Sequence, residues 1–286
     1  MADDKYQKTL AGKVAWVTGG ATGMGRAAAL RLAKAGAAIA VGSLTEDLRG
    51  NLPSERQTAY TPGRAVLEGA HKEIAATGVA VLAMSLDITD EESLNANHER
   101  IAAELGPVDI LINAAGNSGR HPVIGHPDSL WQAMLDVNLT GSYRTTKLCM
   151  PGMVERGWGR IVNFSSTAGL IGAENHAAYC AAKTGLLGLT RCVALEGAAH
   201  GVTCNAICPG WVASDQNYVA CLQEMEMAGI KDKTVDEYRQ MMAEKWVPQN
   251  RFLEPDEPGA LAAFLCSEDA KGITGESLRI SAGSLW

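Results

Sequence analysis

Within residues 175–185, NHAAYCAAKTG, a tyrosine stands four residues before a lysine among small side chains. Positions i and i+4 are neighbours on one helix face, so Tyr179 and Lys183 would stand side by side. A free phenol titrates at about pH 10, too high for a base at neutral pH, and a nearby positive charge stabilises its anion. Lys183 supplies such a charge one turn on. The pair suits proton transfer at an alcohol oxygen. On its own it is equally an ordinary feature of a helix surface; a cofactor site and further polar groups in register would make it an active site.

A second stretch supplies the cofactor. Directly after an apolar run at Val14 comes TGGATGMGR, from Thr18 to Arg26, with glycines at 19, 23 and 25. A loop that leaves a strand and opens a helix presents backbone N–H groups and a helix N-terminus to a pyrophosphate. Gly19 permits the tight turn, Gly23 lets the backbone approach the phosphates and Gly25 allows close contact between helix and strand. A bound nicotinamide would carry only the hydride, so the protein must handle the alcohol proton.

The elements that must position these groups are legible as short apolar runs starting at Val14, Ala38, Val79, Val108, Arg160, Val202 and Ser277, separated by longer Ala/Leu-rich stretches. Seven strands alternating with helices imply an α/β fold: a doubly wound Rossmann-type parallel sheet of about seven strands, forming one domain over residues 1–286. Two regions break the rhythm. Residues 44–64 are polar, contain two prolines and sit where a strand should pass straight to a helix. Residues 211–247 carry Met225, Met227, Met241, Met242 and Trp246 among many charges; they read as two surface helices with apolar inner faces and, functionally, as a helical substrate lid.

Composition narrows the partners. The 286 residues are 47% apolar with a net charge of −7, which gives no electrostatic case for nucleic acid or an anionic membrane. The N-terminus has charges where a secretion signal would be apolar, and no run is long enough to span a bilayer, so a cytoplasmic location is expected. The seven cysteines are scattered, and the one close pair, Cys204 and Cys208, lacks companions for a zinc site. No metal is expected, and the partner is a small molecule.

The glycine loop spacing T-G-x-x-x-G-x-G resembles that of the short-chain dehydrogenase/reductase family, and the resemblance continues along nearly the whole chain. NAAG at residues 113–116, Asp87 in LDIT, Asn138 in DVNLTG, Ser166 thirteen residues before Tyr179, and Pro209 with Gly210 after the sixth strand all match family motifs. The resemblance implies a catalytic tetrad of Asn138, Ser166, Tyr179 and Lys183. Ser166 would hold the substrate oxygen, Lys183 would also bind the nicotinamide ribose, and Asn138 would bend its helix and hold a water that passes protons on. Adjacent Ser165 is a rival that the thirteen-residue spacing rejects. The implied cofactor contacts are Thr18, Gly19, Thr22, Gly23, Met24, Gly25, Ser43, Asp87, Ile88, Asn113, Ala114, Gly116, Tyr179, Lys183, Pro209, Gly210, Val212 and Ser214.

The chain departs from the pattern at the end of the second strand. Family members that use NAD usually place an acid there, and here Ser43 stands instead. Members that use NADP usually have a base beside it or in the glycine loop, where Leu44 and Thr22 stand. NAD(P)(H) is therefore expected, the missing acid favouring NADP. The 44–64 insertion brings Arg49, Arg56 and Arg64 but also Glu46 and Asp47, and in placement it resembles loops that cover the adenine half of the cofactor. His176 and Trp211 are the expected substrate contacts, with Asn175, Arg120 and His121 nearby, and the assembly is expected to be a homotetramer or homodimer. The implied activity is NAD(P)-dependent interconversion of a secondary alcohol (sugar, hydroxy acid or aryl or alicyclic alcohol) and its ketone. The alternative within enzymes is a 3-oxoacyl thioester reductase. A non-catalytic nicotinamide-sensing or assembly protein on the same fold is the alternative of another class; it would be free to lose Tyr179 or Lys183, and neither is lost.

Overall fold

A computed structural model describes residues 9–49 and 60–284. Seven strands, β1 (Val14–Thr18), β2 (Ala38–Ser43), β3 (Val81–Ser85), β4 (Ile110–Asn113), β5 (Gly159–Phe164), β6 (Val202–Pro209) and β7 (Ser277–Ile280), form one sheet in the order β3-β2-β1-β4-β5-β6-β7. Every neighbouring pair is parallel. The doubly wound expectation is met, with the switch in winding between β1 and β4, the place where such sheets open a ligand crevice at the carboxyl ends of their strands.

Side chains of a strand alternate between faces, so each central strand feeds two cores. Ala15, Val17, Ile39, Val41, Ile110 and Ile112 pack under α1 (Gly23–Lys34), α3 (Arg64–Ala75) and α10 (Asp256–Leu265). The short α2 (Glu46–Arg49) lies between α1 and α3 in chain order. Val14, Trp16, Ala40, Leu111 and Ile161 face the other way, toward α4 (Glu91–Glu104) and α6 (Gly141–Arg156). Being covered on both faces is why β1 and β4 read as near-continuous apolar runs rather than alternating ones. Each fully buried Leu or Ile stabilises the fold by roughly 1.5–3 kcal/mol.

The strand register aligns the functional edge. Thr18 lies opposite Asn113 and Asn113 opposite Asn163, so the loops leaving β1, β4 and β5 start level with one another. Along this row Asn113 Nδ2 donates to Asn163 Oδ1 (2.8 Å), and the Thr145 hydroxyl donates to Asn113 Oδ1 (2.7 Å).

Of the two irregular regions, the insertion begins with α2 and returns at Tyr60. Its neck is closed by Glu46 Oε2, which accepts the Arg64 N–H at 2.8 Å. Arg56 and the side chains of Asp47 and Arg49 lie outside the described residues. Residues 211–247 form α8 (Asp215–Met227) and α9 (Val235–Trp246), as their apolar spacing implies. Ser214 caps α8 by accepting the Asn217 N–H, and Thr234 with Glu237 forms a reciprocal capping box on α9. Their facing residues Cys221, Met225, Val235 and Tyr238 make a small core of their own. Among the described residues, no helix is long and apolar enough to cross a membrane.

Candidate active site

The glycine loop folds as its sequence requires. Gly19 and Gly23 have φ of 67° and 53°, in the left-handed region that favours glycine. A Cβ on Gly25 would collide with the Gly19 carbonyl oxygen, so the third glycine allows α1 to start against the turn. Beside the loop a groove open to solvent runs along the ends of β1, β2, β3 and β4. It is lined by Gly19, Thr22, Gly23, Met24, Gly25, Ser43, Asp87, Ile88, Ala114, Gly116 and Ser214, all expected from the sequence. The glycine cradle, the apolar walls and the room between them fit a dinucleotide. Tyr60, Thr61, Asn117 and Gln216 also line it and were not foreseen.

Other expected cofactor residues brace the groove instead. Thr18 Oγ1 donates to the Ile112 carbonyl (3.4 Å) and accepts the Ala115 N–H (3.3 Å), tying β1 to the loop after β4. Asn113 turns into the buried network with Thr145 and Asn163, because it is the last residue of a strand whose side chains face the helices. Pro209 ends β6 inside the sheet, and the Gly210 N–H donates to Ile280 O at 2.8 Å. Val212 joins the apolar cluster of Ala243, Val247, Phe252 and Leu253 beneath the lid.

Gly116 marks where the groove meets the catalytic groups: a Cβ there would lie 2.8 Å from Asn138 Oδ1 and 3.4 Å from Lys183 Nζ. Lys183, on α7 (Ala177–Ala198), is 6% exposed and donates through Nζ to the Phe164 carbonyl at 2.8 Å. Burial pushes its ammonium down to about 8, with Cys208 opposing. Asn138 is fully buried in a π-helical segment, Asp136–Thr140, between α5 (Asp128–Leu135) and α6. Its Nδ2 donates to Asn117 Oδ1 (2.9 Å) and Met134 O (3.1 Å), and its Oδ1 accepts the Asn117 N–H (3.3 Å). The helix bend expected at Asn138 is thus a one-residue widening of the helix, a device frequent at functional sites.

The two serines after β5 part company. Ser165 is buried, and its hydroxyl donates to the Lys183 carbonyl at 2.9 Å. Ser166 is partly exposed, caps a short 3₁₀ turn by accepting the Ala168 N–H (3.1 Å), and lies close enough to the Tyr179 phenol to act on its proton affinity. Burial raises Tyr179 above its ordinary value, and Ser166 opposes this. The resting phenol is therefore protonated at neutral pH. Lys183 Nζ lies 5.7 Å from the Tyr179 ring centroid.

Of the expected substrate contacts, His176 sits beside this centre, its ring 6.4 Å from that of Tyr179 in an edge-on arrangement. Asn175 immediately before it adopts a left-handed φ of 61°, a conformation asparagine tolerates, and this turn sets the start of α7. His176 Nε2 accepts from Arg120 Nε at 3.3 Å, and Arg120 Nη2 pairs with Glu224 Oε1 on α8 at 2.6 Å. The other Glu224 oxygen accepts from the Tyr238 phenol at 3.1 Å. The sequence placed Arg120 near the site without revealing this chain of contacts into the lid, because the pairing depends on how α8 and α9 fold back. Trp211 stacks on Phe252 with 5.4 Å between ring centroids and belongs to the core beneath the lid, not to the groove lining. Among the described residues, no group of His, Cys, Asp and Glu could hold a metal ion.

Comparison with known proteins agrees with this geometry. The family model for short chain dehydrogenase matches residues 13–221. The D-beta-hydroxybutyrate dehydrogenase of Cupriavidus necator is 34% identical over 276 residues, covering 96% of this chain and 98% of that protein. The 3-oxoacyl-acyl-carrier-protein reductase of Haemophilus influenzae is 32% identical over 272 residues, covering 95% and 98%. Among solved structures, an actinorhodin polyketide ketoreductase variant with NADPH superposes with a TM-score of 0.83 at 31% identity, covering 97% of this chain and 98% of that one.

Proposed function

The chain belongs to the short-chain dehydrogenase family of NAD(P)-dependent oxidoreductases, and from that premise we propose that it interconverts a secondary alcohol and its ketone with Tyr179 as the acid–base group. The observation that carries this reading is the convergence at Gly116, where the cofactor groove opens onto Asn138 and Lys183, the latter one helical turn from Tyr179. When bound, the nicotinamide cofactor supplies or accepts the hydride.

The chain's own residues do the rest. Glycines 19, 23 and 25 and the N-terminus of α1 hold the pyrophosphate, and Asp87, Ile88 and Ala114 form the adenosine side. Ser166 holds the substrate oxygen and stabilises charge developing on it. In ketone reduction Tyr179 donates its proton to that oxygen; in alcohol oxidation its phenolate takes the proton back. Lys183, anchored on the Phe164 carbonyl, sets positive charge near the phenol and reaches the cofactor ribose, and Asn138 holds a water that returns protons from solvent. The α8–α9 pair covers the substrate.

For the substrate we favour a hydroxy acid. His176 stands near Tyr179 with Arg120 behind it, and the Cupriavidus relative is named for such a substrate. The second reading, a 3-oxoacyl thioester reductase, is favoured by the Haemophilus relative. The lid's Glu226, Asp232, Asp236, Glu237 and Glu244 are exposed, which disfavours docking of an acidic carrier protein. Exposed Tyr143 on α6 and Leu195 on α7 (81% exposed) support self-association as a homodimer or homotetramer, and seven unpaired cysteines support a reducing, cytoplasmic setting.

The test is calorimetric binding of NADH and NADPH, followed by turnover assays on short 3-hydroxy acids, aldonic acids, aryl alcohols and 3-oxoacyl thioesters. Tight cofactor binding with turnover of the hydroxy acids is the expected result. Turnover of thioesters alone would establish the second reading, and failure to bind either cofactor would overturn both.

A further inference from the structure

The end of β2 offers the cofactor groove little with which to recognise a ribose. Ser43 is 3% exposed, and its Oγ accepts the Ala21 N–H at 3.1 Å. Thr45 is fully buried and shares its hydroxyl with Ser85 Oγ at 2.6 Å. Leu44 between them is apolar. The residue position that usually separates NAD from NADP in this family is thus committed to holding the glycine loop.

Another wall of the same groove is made by Tyr60, Thr61 and Pro62, where the chain returns from the insertion. The Thr61 hydroxyl is closed to solvent and has no hydrogen-bond partner among the described residues, a condition native proteins rarely leave uncompensated. The Tyr60 phenol faces Thr22 of the glycine loop and donates to Oδ2 of Asp215, the first residue of α8, at 3.4 Å. Burial holds this phenol above its ordinary value against the effect of Thr22, so it is a neutral group at physiological pH. Arg26, the cation that faces it, is engaged by Glu73 through Nε at 2.7 Å and through Nη2. Asp215 is the carboxylate facing this phenol, at the rim of the groove between the lining residues Ser214 and Gln216.

We propose that residues 60–62 and Asp215, rather than the end of β2, read the 2′ position of the adenosine ribose. A 2′-hydroxyl approaching this wall gives Thr61, after rotation about its Cα–Cβ bond, the partner it lacks. A 2′-phosphate would bring nearly two negative charges toward Asp215. The inference rests on the nicotinamide-dependent reading of the groove.

The test titrates the cofactor-free, full-length protein with NADH and NADPH by calorimetry and records melting temperature without cofactor. Asp215→Asn should raise NADPH affinity relative to NADH by about 3- to 10-fold, the size of a charge contact at a partly solvated site. Thr61→Val should weaken NADH several-fold while leaving the melting temperature of the free protein unchanged or higher, since the hydroxyl removed had no partner; a merely structural role would lower it. Ser43→Ala should leave the NADH to NADPH ratio as it was. An unchanged ratio in Asp215→Asn together with unchanged NADH affinity in Thr61→Val would overturn the proposal, as would a ratio governed by Ser43. If the unsubstituted protein bound neither cofactor, the parent reading would fall with it, an outcome distinct from binding that ignores these substitutions.

Discussion

At the ends of β4 and β5 two side chains of the proposed tetrad are fixed from behind: Lys183 by the Phe164 carbonyl, its own carbonyl by Ser165, and Asn138 by Asn117 and Met134, both side chains with little or no exposure to water. On α8 and α9 the connections run the other way. The lid meets the body through Arg120 with Glu224 and Tyr60 with Asp215, contacts whose charged partners are partly solvated. Tyr218, Leu222, Met241 and Trp246 remain exposed on it. Buried hydrogen bonds hold geometry because breaking one strands a polar group, whereas exposed ion pairs exchange with water at little cost. In the proposed function the reaction geometry is thus built into the sheet edge, and adaptability to substrate is left to α8 and α9.

The contrast breaks most sharply at Tyr179. Tyr179→Phe keeps the ring but removes the transferable proton, so kcat should fall by about 10²–10⁴-fold while calorimetric cofactor affinity stays within a factor of two or so. Near-normal turnover would mean the proton goes elsewhere. The adjacent serines sharpen it further. Ser166→Ala should cost on the order of 10²-fold in kcat, whereas Ser165→Ala, which removes the bond to the Lys183 carbonyl, should cost about 1 kcal/mol of stability and little turnover. Equal kinetic defects would refute the division of labour between them.

Much of this was legible beforehand. The strands announced themselves because doubly covered strands must be apolar throughout, and the glycine loop because only glycine satisfies its backbone angles and close contacts. The choice of Ser166 over Ser165 rested on spacing, and the structure engages the Ser165 hydroxyl with the buried Lys183 carbonyl. What stayed hidden lies where contacts join segments distant in sequence. Trp211 looked like a substrate contact by its place after β6, yet its partner is Phe252. Nothing local to Tyr60 indicated that it would meet Thr22 and Asp215. Nor did the Tyr–Lys spacing reveal that burial would raise the phenol and depress the ammonium at once.

That pair makes the catalytic floor sensitive to pH. Lys183 sits at about 8 when folded against an ordinary 10.5, so between those values the unfolded chain binds more protons and this residue's contribution to stability rises with pH. Below pH 8, in the same comparison, the cost of the buried cation is present in full. Tyr179 acts oppositely above about pH 10, where the folded state keeps a proton that the unfolded state loses. Relative to Lys183→Met, the cofactor-free protein should therefore gain about 3 kcal/mol across this window, measured by denaturant unfolding at a series of pH values. A flat difference would show that the ammonium is not buried in solution. Alcohol oxidation should also have a more alkaline optimum than ketone reduction, since only oxidation needs the phenolate.

The smallest effect belongs to the lid. Glu224→Gln removes the charge facing Arg120, a pair too solvated to be worth more than about 1 kcal/mol. It should leave kcat nearly unchanged and alter KM by a few-fold, more for an anionic substrate than for a neutral alcohol of equal size. A large loss of kcat would place the lid among the rigid parts.

The π-helical segment that carries Asn138 bears on how this chain tolerates change. One residue more than a regular helix needs lies between Asp136 and Thr140. Deleting a single residue there would restore regular winding and leave the two flanking helices near their present orientation, so that only the local widening that holds Asn138 against Asn117 is lost and a sound helix remains. The number of residues in this stretch matters as much as their identity: substitutions at its outward positions should be absorbed, but a shift of one in length would silence the enzyme without unfolding it.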